Sequence, residues 1–347
     1  MMLRPFPTPA AVSPEEDVIR PAGPCERIAR LPADRWTLRE TAFWLMPVLG
    51  YFAFPGYLML GSQILIAGLF ALSLDLIMGY AGIVSLGHAA FFGTGAYAAG
   101  LLASHGWHEP LSGLLAGAAA AALVALPVSL LVVRGQDLGR LIVTLGIGML
   151  FFEAANKAAA ITGGVDGLSG MEIAPLFGLF DFDLFGRTAY LYSLGVLFLL
   201  FLLCRRLVHS PFGLSLRGIK ENSKRMASLG APVERRLVSV FVIAAALAGA
   251  AGALLAQTTR FVGLDSLSFQ RSAELLIMLV LGGTGRLYGA LIGAALFLLA
   301  QDILAGLDPV YWQFWLGLML VAVVLYARGG VLGGAALLAG RIRGKRR

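Results

Sequence analysis

Three polar side chains, Asp75, Ser85 and His88, stand inside a part of the chain that is otherwise almost wholly apolar. They surround Gly79-Tyr80-Ala81-Gly82-Ile83-Val84-Ser85-Leu86-Gly87-His88, which continues into Ala89-Ala90-Phe91-Phe92-Gly93-Thr94-Gly95. A carboxylate at membrane depth is a candidate functional group by default, although one near a helix end can simply reach the interface. Asp75, four residues before Gly79, admits both readings. Ser85 and His88 could offer hydrogen bonds to the polar ends of a zwitterionic solute, or could equally satisfy broken backbone or a neighbouring helix. Five glycines in seventeen residues argue against a plain helix, since each costs roughly 1 kcal/mol against alanine in a helix interior. At membrane depth, broken backbone survives only where protein or a water-filled path covers it. The expectation is a turn or discontinuous helix lining a path, with Asp75, Tyr80, Gly82, Ser85, Gly87 and His88 along it.

A second glycine cluster, Leu281-Gly282-Gly283-Thr284-Gly285-Arg286-Leu287-Tyr288-Gly289, occurs late in the chain. Like the first, it follows an apolar run containing an acid (Asp75, then Glu274) and precedes another apolar run. Paired interruptions in the two halves of a membrane chain point to a duplicated transporter fold with its path between them. That adds Gly282, Gly283 and Gly285 to the candidate path residues. The spacings differ between the two clusters.

The composition dictates the kind of element that must hold these residues. Apolar residues make up 58% of the 347 and charged residues 14%, against about 45–50% and 25% in soluble domains. Uncharged runs approach the roughly 20 residues that cross a hydrocarbon core. The apolar segments lie at about 43–54, 57–78, 83–103, 111–133, 141–160, 188–204, 237–256, 269–281, 287–303 and 310–327. The chain is therefore expected to be an all-α, polytopic membrane protein of about ten segments, with membrane lipid as its surroundings. Pro127 predicts a kink in the fourth.

The net charge of +7 does not point to nucleic acid, because the basic residues cluster between apolar runs. Residues 205–236 carry eight Lys/Arg against two Asp/Glu, and the tail from Arg328 has six and no acid. Residues 161–187 carry four acids and one arginine. Positive loops belong on the cytoplasmic side, which with ten crossings places both ends of the chain inside. The domain reading is a polar, proline-rich arm over 1–40, a membrane domain over 41–328 with a cytoplasmic loop at 205–236, and a basic tail over 329–347. Cys25 and Cys204 are far apart in sequence and suggest neither a disulfide nor a metal site.

Within the basic loop, Leu214, Ile219, Met226 and Leu229 give an apolar side to a polar stretch. This predicts one or two short helices, stopped at Gly230 and Pro232. Either they dock a partner, or the loop is a solvated positive face or a patch for anionic lipid. Glu153 with Lys157 and Arg271 with Glu274 read as interfacial ion pairs at helical spacing. Residues 162–168 read as a tight outer turn in which Asp166 bonds local backbone.

Together the residues resemble a known family. Gly79-Tyr80-Ala81-Gly82 with Ser85-Leu86-Gly87-His88-Ala89, Thr162-Gly163-Gly164-Val165-Asp166-Gly167-Leu168, the loop at 213–230 and Leu281-Gly282-Gly283-Thr284-Gly285 look like the LivM-like permeases of branched-chain amino acid ABC importers. The resemblance covers about residues 55–335, and the arm before residue 40 departs from it. It implies a type II ABC importer-like permease paired with a LivH-like second permease, two cytoplasmic ATP-binding subunits and a periplasmic substrate-binding protein. It further implies an inner-membrane location and a substrate that is Leu, Ile or Val, with urea, short amides or aromatic acids as alternatives. By the same resemblance the loop that transmits ATPase closure contains Arg217, Lys220, Glu221, Met226, Ala227 and Gly230. Arg225-Met226-Ala227 departs from the family's usual Glu-Ala-Ala there. The chain has no Gly-x-x-x-x-Gly-Lys-Ser/Thr loop for nucleotide phosphates, so no cofactor is implied and the chain is not expected to be an enzyme. Two rivals come from other classes. An ion-coupled secondary transporter would lean on Asp75 or Glu153, and a non-transporting scaffold would use the glycines for helix packing.

Overall fold

The computed structural model describes residues 38–135, 137–176, 178, 180–183 and 186–326. The arm up to residue 37, with Cys25, and the tail over 329–347 lie outside them. The chain divides into the units Met1–Leu45 and Met46–Arg347; of the first, the described part is the start of one helix.

Thirteen α-helices occur among the described residues: α1 Leu38–Ala53, α2 Leu58–Asp75, α3 Ala89–Ser104, α4 Pro110–Arg134, α5 Asp137–Lys157, α6 Ala159–Thr162, α7 Arg187–His209, α8 Pro211–Glu221, α9 Ser223–Ser228, α10 Val233–Thr259, α11 Phe269–Gly282, α12 Leu287–Leu307 and α13 Trp312–Tyr326. A π-helical turn, Leu76–Ala81, continues α2. The helix α4 runs on through Pro127. The connection from α4 to α5 is short. Arg140 already belongs to α5, and its guanidinium reaches back to the Val133 carbonyl at 3.4 Å.

Length separates these helices into two groups. Six apolar stretches of 20–27 residues, Pro55–Ala81, Pro110–Arg134, Leu138–Lys157, Arg187–His209, Val233–Thr259 and Leu287–Leu307, are long enough to cross. The helices α3 and α11 have 16 and 14 residues, or about 21–24 Å at 1.5 Å per residue, short of a core of about 30 Å. Length and composition thus account for six crossings among the described residues. The reason α3 and α11 are short is local: α3 begins where the first glycine cluster ends, and α11 ends at the second. The breaks consume residues that would otherwise complete a span.

The packing is centred on α2 and α10. In their apolar windows 83% and 72% of residues are buried, against 11% for α5. An apolar helix with no polar side must be enclosed, and α2 meets that condition through α7, α10 and α12. The helices α3, α4 and α10 approach closely because small residues face one another. A Cβ on Gly95 would fall within the Gly249 backbone, while Ala121 and Ala125 of α4 are fully buried. Phe91 and Phe241 lock the same layer edge to face at 5.5 Å.

The helix α7 separates the acidic connection before it from the basic one after it, which places the two at opposite ends of that helix. At the acidic end, Leu168 and Val262 exchange backbone bonds of 2.8 and 3.0 Å. The turn over 162–168 forms as expected, with positive φ at Gly163, Gly164 and Gly167. It is Thr162, not Asp166, that ties it. The Thr162 hydroxyl lies 2.6 Å from the Ala155 carbonyl and accepts from Gly164 N at 3.2 Å. Both expected ion pairs are present: Lys157–Glu153 at 3.7 Å and Arg271–Glu274 at 3.3 Å, the latter extended by Asp265.

Candidate functional site

The first glycine cluster is a break in a buried helix. After the π-turn, Gly82 takes φ 75°, a conformation that glycine adopts at little cost. The chain then runs without helix to His88, and α3 starts at Ala89. Side chains from three other helices satisfy the exposed backbone. Thr144 of α5 accepts from Leu86 N at 3.2 Å, Ser272 of α11 accepts from Ala89 N at 2.9 Å, and Lys220 of α8 donates to the Gly79 carbonyl at 2.7 Å. This is how broken backbone is tolerated at membrane depth.

The residues singled out from sequence fall into two neighbourhoods along this break. In the first, Asp75 is fully buried, so it does not reach an interface. Its Oδ1 accepts from Gly285 N at 2.7 Å, 210 residues away, and its Oδ2 has no hydrogen-bond partner. Gly285 accepts the role through φ 77°, beside Gly283 at φ 102°. Gly282 closes α11 against the Gly289 carbonyl, with no room for a side chain. The two glycine clusters, paired on sequence grounds, therefore meet in space. Tyr80 is buried in the π-turn, with the Arg217 guanidinium 5.2 Å above its ring, a cation–π arrangement.

In the second, His88 is fully buried and lies parallel to Phe70 at 5.8 Å, with Phe91 edge-on at 5.7 Å. Its Nε2 is 2.9 Å from the Ser73 hydroxyl, which donates to the Phe70 carbonyl at 2.6 Å. One hydroxyl carries one proton. Ser73 therefore accepts from Nε2–H, which leaves Nδ1 of His88 as a bare acceptor without a hydrogen-bond partner. Ser85 Oγ is likewise buried without one. Gly87 presses against the Thr144 carbonyl and Gly148. The structural reading gave Ser85 and His88 either the broken backbone or a neighbouring helix, and His88 meets the second through Ser73 of α2. It is Thr144 and Ser272 that serve the backbone, while His88 pairs with Ser73.

Two short helices, α8 and α9, form in the basic loop as its apolar side implied. Ser210 caps the first by accepting from Gly213 N at 3.4 Å, and Asn222 caps the second by accepting from Arg225 N at 2.9 Å. Leu216 and Ile219 are buried; Arg217 and Lys220 point along the adjacent face to the first break. Glu221 ends α8, Met226 packs its sulfur beside Gly218, Ala227 is exposed, and Gly230 turns the chain with φ 83°. Sequence reasoning placed this loop and the glycine path apart, and missed Ser73, Thr144 and Ser272. A hydroxyl in an apolar segment was the only signal for these three. Cys204 is buried and free.

Comparison with known proteins follows from this geometry. The model of a family described as "Branched-chain amino acid transport system / permease component" matches residues 56–324, which contain both breaks and the helical hairpin. The chain belongs to that family. It is 29% identical over 334 residues to the high-affinity branched-chain amino acid transport system permease protein LivM of Escherichia coli (strain K12), covering 87% of this chain and 77% of the relative. It is 31% identical over 128 residues to the corresponding LivH protein of the same organism, covering 36% of this chain and 41% of the relative. A probable LivH of Methanocaldococcus jannaschii is 26% identical over 171 residues, covering 47% of this chain and 51% of the relative. No solved structure matches the chain. As a permease-family member with several apolar helices of crossing length, it is a multi-pass membrane protein of a transport system.

Proposed function

We propose that this chain is a membrane-spanning subunit of an ATP-driven importer that moves leucine, isoleucine and valine across the inner membrane by alternating access. It pairs with a LivH-like second permease, two cytoplasmic ATP-binding subunits and a periplasmic substrate-binding protein. The observation that carries this reading is the attachment of the polar hairpin over 211–228 to the first glycine break, through Lys220 on the Gly79 carbonyl and Arg217 on Tyr80. A solvated loop or a lipid patch needs no such attachment to the most buried helix of the bundle. A lever pushed by a partner does.

The path then lies along the breaks, with the bare Nδ1 of His88 and the Ser85 hydroxyl as polar groups available to a zwitterion. Both termini and the loop at 205–236 are cytoplasmic in this reading, on the charge asymmetry between loops. Relatives named both LivM and LivH match the chain, which fits a pair of similar, non-identical permeases.

The test is reconstitution of the complex purified from its native membrane into proteoliposomes, with the binding protein supplied outside. Uptake of radiolabelled leucine that requires ATP and is competed by isoleucine and valine is the expected result. Leucine uptake without ATP would replace this reading with the ion-coupled one. Competition by urea, short amides or phenylalanine, and not by valine, would retain the importer and change its substrate.

A further inference from the structure

We propose that Lys220 and Asp75 are positioning residues that connect helix α8 to both glycine breaks at once, so that a displacement of α8 reaches Gly79 and Gly285 together. This rests on the importer reading, which supplies the force on α8.

The connection can be followed atom by atom. Lys220 sits in the last turn of α8. Its stem lies across Gly82, where a Cβ would come within 3.0 Å of Lys220 Cγ, and its ammonium donates to the Gly79 carbonyl at 2.7 Å. One side chain thus spans the break from Gly82 to Gly79. Arg217, three residues earlier and on the same side of the helix, holds Tyr80 from above. Gly79 in turn lies one helical turn beyond Asp75, whose Oδ1 holds Gly285 N at 2.7 Å. The Gly79 backbone is packed so closely on that bond that an added Cβ would strike both Asp75 Oδ1 and Gly285 N.

Two charge-assisted hydrogen bonds, the shorter and stronger kind, therefore meet at Gly79: one ends on its carbonyl and the other lies against its Cα. The second carboxylate oxygen of Asp75 has no hydrogen-bond partner. The polar groups at the break bind the bundle to α8 directionally.

A proposed route of coupling needs a measured coupling. In proteoliposomes holding the complete importer, leucine uptake and ATP hydrolysis are read from the same vesicles. Lys220→Gln is expected to lower uptake per ATP hydrolysed at least tenfold, and Lys220→Arg to keep more than half. Asp75→Asn, which retains an acceptor for Gly285 N but loses the charge, is expected to fall with Lys220→Gln. The double variant is expected to fall no further than the worse single one, because both cut a single connection. Lys220 is an exposed residue, so Lys220→Cys in a chain lacking Cys25 and Cys204 can be alkylated with bromoethylamine. Recovery of the ratio on restoring the amine separates positioning from folding. An unchanged ratio in Lys220→Gln, multiplicative losses in the double variant, or no recovery on aminoethylation would overturn the proposal while leaving the importer reading intact. Failure of the unmodified complex to couple uptake to ATP would overturn the importer reading itself.

Discussion

A methyl group on Gly79 would lie against the Asp75 carboxylate and the Gly285 amide together, whereas one on Gly146 would meet nothing within 4 Å. The same substitution should therefore have opposite effects at the two positions. Gly79→Ala is expected to destabilise the protein by about 1–3 kcal/mol, the usual range for overpacking. Gly146→Ala, in an open helix face, is expected to be neutral or to stabilise by about 0.5–1 kcal/mol. Thermal unfolding in detergent, followed by intrinsic tryptophan fluorescence, checks both, and equal midpoints for the two variants would contradict the packing described. The residue scale was also where sequence was most legible. Asp75, Tyr80, His88 and the glycines all stand at the break. Ser73, Thr144 and Ser272 did not announce themselves, because a hydroxyl that bonds its own helix and one that serves a distant backbone look alike in sequence.

At the scale of elements, the breaks shorten α3 and α11, and caps shape the hairpin. Asn222 is the residue that ends α8 and starts α9. Removing its cap by Asn222→Ala is expected to cost about 1 kcal/mol of local helix stability. Amide exchange over residues 223–228 should then quicken about fivefold, measured by mass spectrometry, while exchange in α10 stays as it was. An unchanged rate at 223–228 would mean that packing on α8, with Met226 against Gly218, holds α9 without the cap. The two-helix form of this loop was legible from its apolar spacing and its Gly-x-Pro stop. Its attachment to Gly79 was not, since a lysine in a basic loop carries no mark of where its ammonium goes.

For the whole molecule, the testable matter is which ends share a side of the membrane. The helix α7 sets the acidic segment at 161–186 and the basic one at 210–232 at its opposite ends. Cysteines introduced one at a time at exposed Asp166 and Lys224, in a chain without Cys25 and Cys204, should react with an impermeant maleimide from opposite faces. In right-side-out vesicles Asp166→Cys is expected to label at once and Lys224→Cys only after permeabilisation. Labelling of both from one face would require α7 to lie within the bilayer plane.

What the amino-acid sequence determined by itself was the class of solvent and the class of element. An apolar excess and uncharged runs demand helices in lipid, since only there are all backbone groups satisfied within each segment. Clustered glycines demand breaks. Only the tertiary structure decided that the two breaks, some 200 residues apart, share the Asp75–Gly285 bond, and that the basic hairpin grips the first of them. Periodicity and composition describe how a segment meets its immediate surroundings. Which distant backbone group a buried carboxylate or a long ammonium reaches depends on the packing of every helix between, and no local pattern records that.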